Sequence, residues 1–218
     1  MPNVITLDMN HPAVQYLCKK DKRLEKVISM VGPITYETHV DAPYAFLVHE
    51  IIEQMLSVKA GAKIYSRFEA LCDGDVTPKR VLSLSVEDIK STGTSTSKAT
   101  YILGITRSIQ DRILNLDNLN SMTDADVIST LTKQRGIGKW TAKMYLIFVL
   151  NRPDILPYED AAFLQTYRWL HQTDDCSTTS IKRKCAKWNP YSSIAARFLY
   201  RALDMGFSKE KFHLLKEI

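Results

Sequence analysis

The sequence predicts an all-α protein, a two-lobed helical bundle. Apolar residues recur mostly at helical spacing, and sustained alternation of period two is almost absent. Capping residues mark helix starts at Thr77-Pro78, at Ser85 to Asp88 and at Thr123 to Asp126. The segment 30–40 alone has some strand character, and we expect it to be too short to found a sheet. A chain of 218 residues has enough length for two small lobes.

Composition narrows the possible partners and cofactors. The net charge of +5 suits a polyanionic partner, although many ordinary soluble proteins share it. Scattered cysteines predict that the protein has no zinc or iron–sulfur cluster; they are Cys18, Cys72, Cys176 and Cys185. Because no apolar run reaches the roughly 18–20 residues of a membrane span, and no signal peptide is recognisable, we expect a soluble intracellular protein.

A Gly-x-Gly turn between two helical segments is the most informative feature of the chain. It lies within the stretch Leu131-Thr-Lys-Gln-Arg-Gly-Ile-Gly-Lys-Trp-Thr-Ala142, and apolar residues at helical spacing precede and follow it. The pattern therefore predicts a helix–hairpin–helix. Glycine at Gly136 and Gly138 permits a tight turn and a close approach of backbone N–H groups to a phosphate. A Gly-x-Gly taken alone is more often a plain turn.

A carboxylate follows at the start of the next apolar helical run, in Leu156-Pro-Tyr-Glu-Asp160. A carboxylate downstream of a proposed phosphate anchor suggests chemistry on DNA, and the two carboxylates here are Asp160 and the adjacent Glu159. The ordinary interpretation is that Asp160 only caps the helix that begins after it, which is common for aspartate.

The extended hairpin stretch resembles that of helix–hairpin–helix DNA repair glycosylases, particularly the 3-methyladenine DNA glycosylase II family. The resemblance covers residues 43–205. It includes Glu53 to Ala60, Gly93 to Tyr101 and Trp188-Asn-Pro-Tyr191. Arg135 stands where the family usually has a proline, and the chain is expected to be a compact form without the extra N-terminal domain of larger bacterial members.

The resemblance implies a discontinuous arrangement and an activity. One lobe, residues 43–152, would carry the wedge and the helix–hairpin–helix. The other lobe, residues 1–42 with 153–218, would complete a cleft that holds the active site. The implied activity is base-excision repair by a glycosylase that hydrolyses the N-glycosidic bond of alkylated purines such as 3-methyladenine. The product would be an abasic site.

Several roles follow from the family positions. Asp160 would stabilise positive charge on the sugar and orient or deprotonate a hydrolytic water. Members that also cut the DNA backbone carry a Schiff-base lysine where this chain has Trp140, so we expect a monofunctional enzyme. Trp140, Tyr200 and Tyr158 would line the pocket for a flipped base, since electron-rich rings suit cationic alkylated bases. Core packing is the alternative for each ring.

Met55 occupies the position of the wedge that fills the gap left by the flipped base. Methionine in an apolar helical run usually belongs to the core, which is the alternative interpretation here. The loop 93–97 together with Lys98 is expected to add a second contact to the DNA backbone.

The hairpin is expected to hold a DNA phosphate through Gly136, Gly138 and Trp140, with charge from Arg135 and Lys139. Family members also bind a monovalent cation through hairpin carbonyls, and the matching positions here are Thr132, Gln134 and Ile137. The cation would be structural, and no cofactor is expected to be required.

We expect the partner to be double-stranded DNA containing alkylated bases, bound by a monomer. The protein would be cytoplasmic and associated with the nucleoid in a bacterium, and nuclear in a eukaryote. Two alternatives remain open at this point. One is a glycosylase for another lesion on the same scaffold, and the other is a noncatalytic helix–hairpin–helix module that binds DNA.

Overall fold

The computed structural model describes residues 4–214, and helices dominate this part of the chain. The elements in chain order are β1 (Val4–Leu7), α1 (Pro12–Lys20), α2 (Lys22–Val31), β2 (Ile34–Glu37), α3 (Pro43–Glu53), α4 (Val58–Leu71), α5 (Pro78–Leu82), α6 (Val86–Ser91), α7 (Thr96–Gln110), α8 (Asp124–Thr132), α9 (Lys139–Phe148), α10 (Ala161–His171), α11 (Thr178–Cys185) and α12 (Ser192–Asp204). Short 3-10 turns occur at Asp117–Ser121, Ala186–Trp188 and Phe207–Lys209. The predicted all-α class is confirmed. Among the described helices, none has the length and apolarity needed to cross a membrane.

The expectation that the segment 30–40 could not found a sheet is wrong. β2 pairs antiparallel with β1, and the register places Val4 opposite Glu37 and Leu7 opposite Ile34. The partner strand lies about thirty residues away along the chain, where local periodicity gives little warning of pairing.

Backbone contacts divide the chain into two compact units. Unit 1 contains the described residues up to Thr38 and from Asn151 onward, and unit 2 runs from His39 to Leu150. The lobe expected from the resemblance began at residue 43 and ended at residue 152. A cleft between lobes stays a prediction.

Local capping explains where several helices begin. Ser85 and Asp88 form the expected capping box at the start of α6. The Thr123 hydroxyl accepts a hydrogen bond from the Asp126 N–H at 3.2 Å and so caps α8. Thr77 precedes Pro78 at the start of α5, as predicted, but its side chain makes no capping bond.

A buried carboxylate organises unit 1. Oδ1 of Asp21 caps α2 by accepting hydrogen bonds from the N–H groups of Arg23 and Leu24. Its Oδ2 accepts from Trp188 Nε1 at 2.8 Å and lies 3.0 Å from the Lys187 ammonium. Burial alone would raise the pKa of Asp21, but these donors hold it below its usual range. The carboxylate therefore connects the start of α2 to the segment before α12.

Unit 2 is built around α3, which packs against α4, α7 and α9. Its buried face includes Leu47 and Ile51. The Tyr44 hydroxyl lies 2.6 Å from the Thr106 hydroxyl of α7 and satisfies both groups in the core. Helices α3, α7 and α9 thus form the rigid support for the loops at their ends.

The environment of His171 predicts that unit 1 loses stability as the pH falls. Its ring lies 4.8 Å from that of Tyr167 and 6.2 Å from that of Trp188, measured between ring centroids. Burial lowers the pKa of His171 to about 4, although Asp21 acts in the opposite direction. In the unfolded chain His171 has its usual pKa of about 6.5, so it is protonated there at a higher pH than in the folded protein. The stability that the neutral ring contributes is therefore fully present above pH ~6.5 and is lost as the pH falls towards 4.

We expect His171→Phe to keep the ring stacking and remove the titration. Between pH 7 and pH 4.5 this variant should lose about 2 kcal/mol less stability than the wild type. Denaturant unfolding at both pH values measures the difference. Equal losses in the two proteins would show that His171 does not carry this proton linkage.

Candidate functional site

The predicted helix–hairpin–helix is present in unit 2. α8 ends at Thr132, α9 begins at Lys139, and the connecting turn contains Gly136 and Gly138. Gly136 has a φ of +94°, in the left-handed region that favours glycine. Gly138 has an ordinary φ of −93° and is the N-cap residue of α9.

The two glycines serve different purposes. A Cβ on Gly136 would lie 2.5 Å from ring atoms of Tyr101, so the turn packs directly on this ring. The Arg135 guanidinium lies 5.7 Å from the centroid of the same ring. A Cβ on Gly138, in contrast, would meet no atom within 4 Å. Gly136 is therefore required by packing, whereas Gly138 leaves open space in front of the hairpin.

The start of α9 has the chemistry of an anion site. Gly138 supplies no side-chain cap, and the first turn of α9 contains no acidic residue. The first N–H groups of a helix point out of its end and carry partial positive charge. Arg135 and Lys139 flank this turn and are exposed. This arrangement suits a phosphate group.

Met55 lies in the short loop between α3 and α4, and not in a helix as the apolar periodicity indicated. Its φ is +59°, and the residue is fully exposed to solvent. Val58 is also 82% exposed. The alternative that Met55 belongs to the core is wrong. The loop and the first residue of α4 instead present apolar side chains to solvent, as a wedge requires.

Sequence reasoning missed the hydrogen bonds by which two side chains, Gln54 and Lys98, hold this loop. Gln54 Nε2 donates to the Gly136 carbonyl at 2.9 Å and lies 3.3 Å from the Thr141 hydroxyl. The Lys98 ammonium donates to the carbonyls of Ile52 and Gln54 at 2.8 and 2.6 Å. The Lys98 ammonium thus uses two of its three donors on the protein's own carbonyls, and a second DNA backbone contact by the loop 93–97 with Lys98 stays a prediction. Both residues lie within segments that the resemblance had singled out.

The loop that leads to Asp160 is fixed to the start of α12 in unit 1. The Asp154 carboxylate accepts hydrogen bonds from the Ser192 N–H at 3.1 Å and from the Ser192 hydroxyl at 2.6 Å. The Asn189 amide also donates to Asp154. Ser193 Oγ accepts from the Ile155 N–H at 2.8 Å. The residues from Asn189 to Ser193 therefore position the loop that leads to Asp160. The resemblance had matched the start of this segment only as a motif.

Asp160 is the N-cap residue of α10. Its Oδ1 accepts from the Phe163 N–H at 2.6 Å, and the residue is only 8% exposed. The predicted cap is thus confirmed. It does not exclude catalysis, because a carboxylate has two oxygens and about four acceptor positions. Capping fixes the side-chain rotamer and holds the anion at one place.

The aromatic candidates fall in different units. Tyr158 and Tyr200 pack against the core of unit 1, and Trp140 lies in the first turn of α9 in unit 2. The Lys182 ammonium lies 5.3 Å from the Tyr158 ring centroid, so a base that stacked on Tyr158 would have to use the other face. A pocket formed by the three rings stays a prediction.

The carbonyls proposed for a monovalent cation belong to the end of α8 and the hairpin. The last carbonyls of a helix have no partner within it and carry partial negative charge, which suits a cation near Thr132. The Gln134 carbonyl already accepts from the Ile137 N–H at 3.1 Å, which leaves it one lone pair. Within residues 4–214, no cluster of three or more His, Cys, Asp or Glu side chains is suited to a metal ion.

Comparison with known proteins relates this geometry to a family. Residues 48–190 match a protein-family model described as HhH-GPD superfamily base excision DNA repair protein. The matched range contains Met55, the hairpin and Asp160. It therefore includes all the candidate positions described above except Tyr200.

Individual relatives cover nearly the whole chain. The Alkylbase DNA glycosidase-like protein mag2 of Schizosaccharomyces pombe is 28% identical over 195 residues, which is 87% of this chain and 92% of the relative. A DNA-3-methyladenine glycosidase from Bacillus halodurans has a structure that superposes with a TM-score of 0.81 at 29% identity, over 96% of this chain and 97% of the other. The S. pombe 3-methyladenine DNA glycosylase in complex with abasic DNA gives 0.80 at 26% identity, over 89% and 97%.

Proposed function

Because the chain belongs to the HhH-GPD superfamily of base excision DNA repair proteins, we propose that it is a monofunctional DNA glycosylase. It hydrolyses the N-glycosidic bond of alkylated purines such as 3-methyladenine and leaves an abasic site. The observation that carries the proposal is the buried carboxylate of Asp160, held in one rotamer at the start of α10 by its bond to Phe163. Two solved relatives named for 3-methyladenine support the class of substrate.

Asp160 supplies the electrostatic part of the reaction. As the bond between base and sugar breaks, positive charge develops on the sugar, and a fixed anion stabilises that charge without reorganising. The same carboxylate orients a water molecule or takes its proton as the water attacks the anomeric carbon. Trp140 at the position of the Schiff-base lysine supports hydrolysis without strand cleavage.

The hairpin supplies sequence-independent binding. The start of α9 receives a phosphate through backbone N–H groups near Gly138, and Arg135 and Lys139 add charge. A monovalent cation held by carbonyls of Thr132, Gln134 and Ile137 would add positive charge there. Met55 enters the stack where the base leaves it, and Trp140, Tyr158 and Tyr200 receive the base. The monomeric state is part of the proposal.

A noncatalytic DNA-binding module is the second candidate, since the capping bond of Asp160 gives this residue a structural role by itself. Such a module would use the hairpin and Met55 but would release no base. A glycosylase for a different lesion would share every feature above except the fit of the base.

Replacement of Asp160 by asparagine separates catalysis from capping. Asparagine caps helices about as well as aspartate, so Asp160→Asn should fold normally. It lacks the negative charge, and we expect base release from methylated duplex DNA in single turnover to fall by at least about 10²-fold. Glu159→Gln is the matched control and should retain activity. Unchanged release by Asp160→Asn would refute the assigned role, and no release by the wild type despite DNA binding would favour the module.

Alanine at each hairpin glycine distinguishes folding from phosphate binding. Gly136→Ala should lower stability by about 2 kcal/mol or more, because its φ is positive and its Cβ would overlap Tyr101. Gly138→Ala should fold normally but bind duplex DNA about tenfold more weakly, since its Cβ would stand where the phosphate approaches. Thermal melts and fluorescence anisotropy measure the two effects. Full DNA affinity in Gly138→Ala would place the phosphate elsewhere.

A further inference from the structure

The ammonium of Lys98 lies at the carboxyl end of a helix other than its own. It donates to the carbonyls of Ile52 and Gln54, at the end of α3. These groups belong to the last turn and the C-cap of α3, where carbonyls lack partners and the helix dipole favours a cation. α3 has no basic residue in its own last turn. The cation that stabilises this end therefore comes from α7.

The position of Lys98 along α7 makes the placement unusual. Lys98 is in the first turn of α7, where Ser95 Oγ accepts from its N–H at 3.3 Å. A positive charge at a helix N-terminus is unfavourable for that helix. Burial also lowers the pKa of Lys98. Both effects disfavour a charged lysine here, and the two short hydrogen bonds to α3 offset them.

The carbonyls that Lys98 binds flank the turn leading into the wedge. Met55 follows Gln54 directly and adopts a φ of +59°, a left-handed conformation that is unfavourable for a non-glycine residue. The side chain of Gln54 is bonded to the Gly136 carbonyl on the hairpin. With its backbone and its side chain both fixed, Gln54 leaves the next residue little conformational freedom. The exposed Met55 is thus carried by backbone that these hydrogen bonds hold in place.

We infer that Lys98 is a positioning residue for the DNA wedge. Its ammonium fixes the end of α3 so that Met55 is held ready to enter the base stack, and it does so without touching DNA. This inference rests on the proposed function, because it assumes that Met55 acts as a wedge. A preorganised wedge avoids the entropy cost of ordering the loop at each encounter with a lesion.

The test measures wedge insertion without requiring excision. The probe is a duplex that contains a tetrahydrofuran abasic-site analogue beside 2-aminopurine, whose fluorescence rises when it is unstacked. The readouts are that fluorescence at saturating protein and the ratio of affinities for the analogue duplex and an undamaged duplex. Lys98→Met removes the ammonium and keeps the length of the side chain. Lys90→Met, which removes a charge paired with Glu87 on α6, is the control.

For Lys98→Met we expect the affinity ratio to fall about tenfold, with affinity for undamaged duplex changed by less than about twofold. Lys98→Arg should restore part of the ratio, and Lys90→Met should match the wild type. In a Met55→Ala background, Lys98→Met should have little further effect, because Lys98 acts through Met55. Should Lys98→Met fail to fold, Lys98→Gln, whose amide is still a donor, takes its place in the same measurements.

Three results would overturn the inference. An unchanged ratio in Lys98→Met would do so, and so would an equal loss of affinity for both duplexes, which indicates a general structural role. A full effect of Lys98→Met in the Met55→Ala background would show that Lys98 does not act through the wedge. If the wild type itself neither prefers the analogue nor raises the fluorescence, the proposed function fails together with the inference.

Discussion

The bonds from the Lys98 ammonium to the carbonyls of Ile52 and Gln54 join the start of α7 to the end of α3, and the proposed wedge depends on this contact. Lys98 and Tyr101 are three residues apart and so lie on one face of α7. The Lys98 ammonium binds the carbonyls that precede Met55, and the Tyr101 ring packs against the hairpin at Gly136. Gln54 connects the two loops directly. One face of α7 thus contacts both the loop that carries the exposed Met55 and the hairpin that carries the proposed phosphate site.

In unit 1, carboxylates hold the backbone around the proposed catalytic residue, Asp160, whereas in unit 2 an ammonium holds the loop that carries Met55. Asp21 joins α2 to Trp188, and Asp154 fastens its loop to the start of α12. Asp160 uses one oxygen to cap α10. A carboxylate bound to backbone N–H groups is held in one rotamer and remains an acceptor. The proposed catalytic anion is therefore preorganised by the bond that stabilises its helix.

The sequence predicted features that depend on local chemistry. The helical class, the hairpin and the caps at Ser85 and Thr123 follow from periodicity and from short-range hydrogen bonds. Pairing of β1 with β2, and the contact of Lys98 with α3, depend on segments distant in the chain, and no local pattern encodes them. Met55 illustrates the limit, because its apolar character extended a helical pattern beyond Glu53, where the helix ends. The resemblance identified its position, and the structure revealed its exposure.

Product analysis with the wild-type protein and methylated duplex DNA tests the central claim, hydrolytic base excision, most directly. The measurement compares the amount of free base with the number of strand breaks, before and after alkali treatment. Hydrolysis predicts one free alkylated purine, 3-methyladenine among them, for each alkali-labile site that the enzyme creates, and no breaks before alkali. Breaks without alkali, or abasic sites without free base, would contradict it.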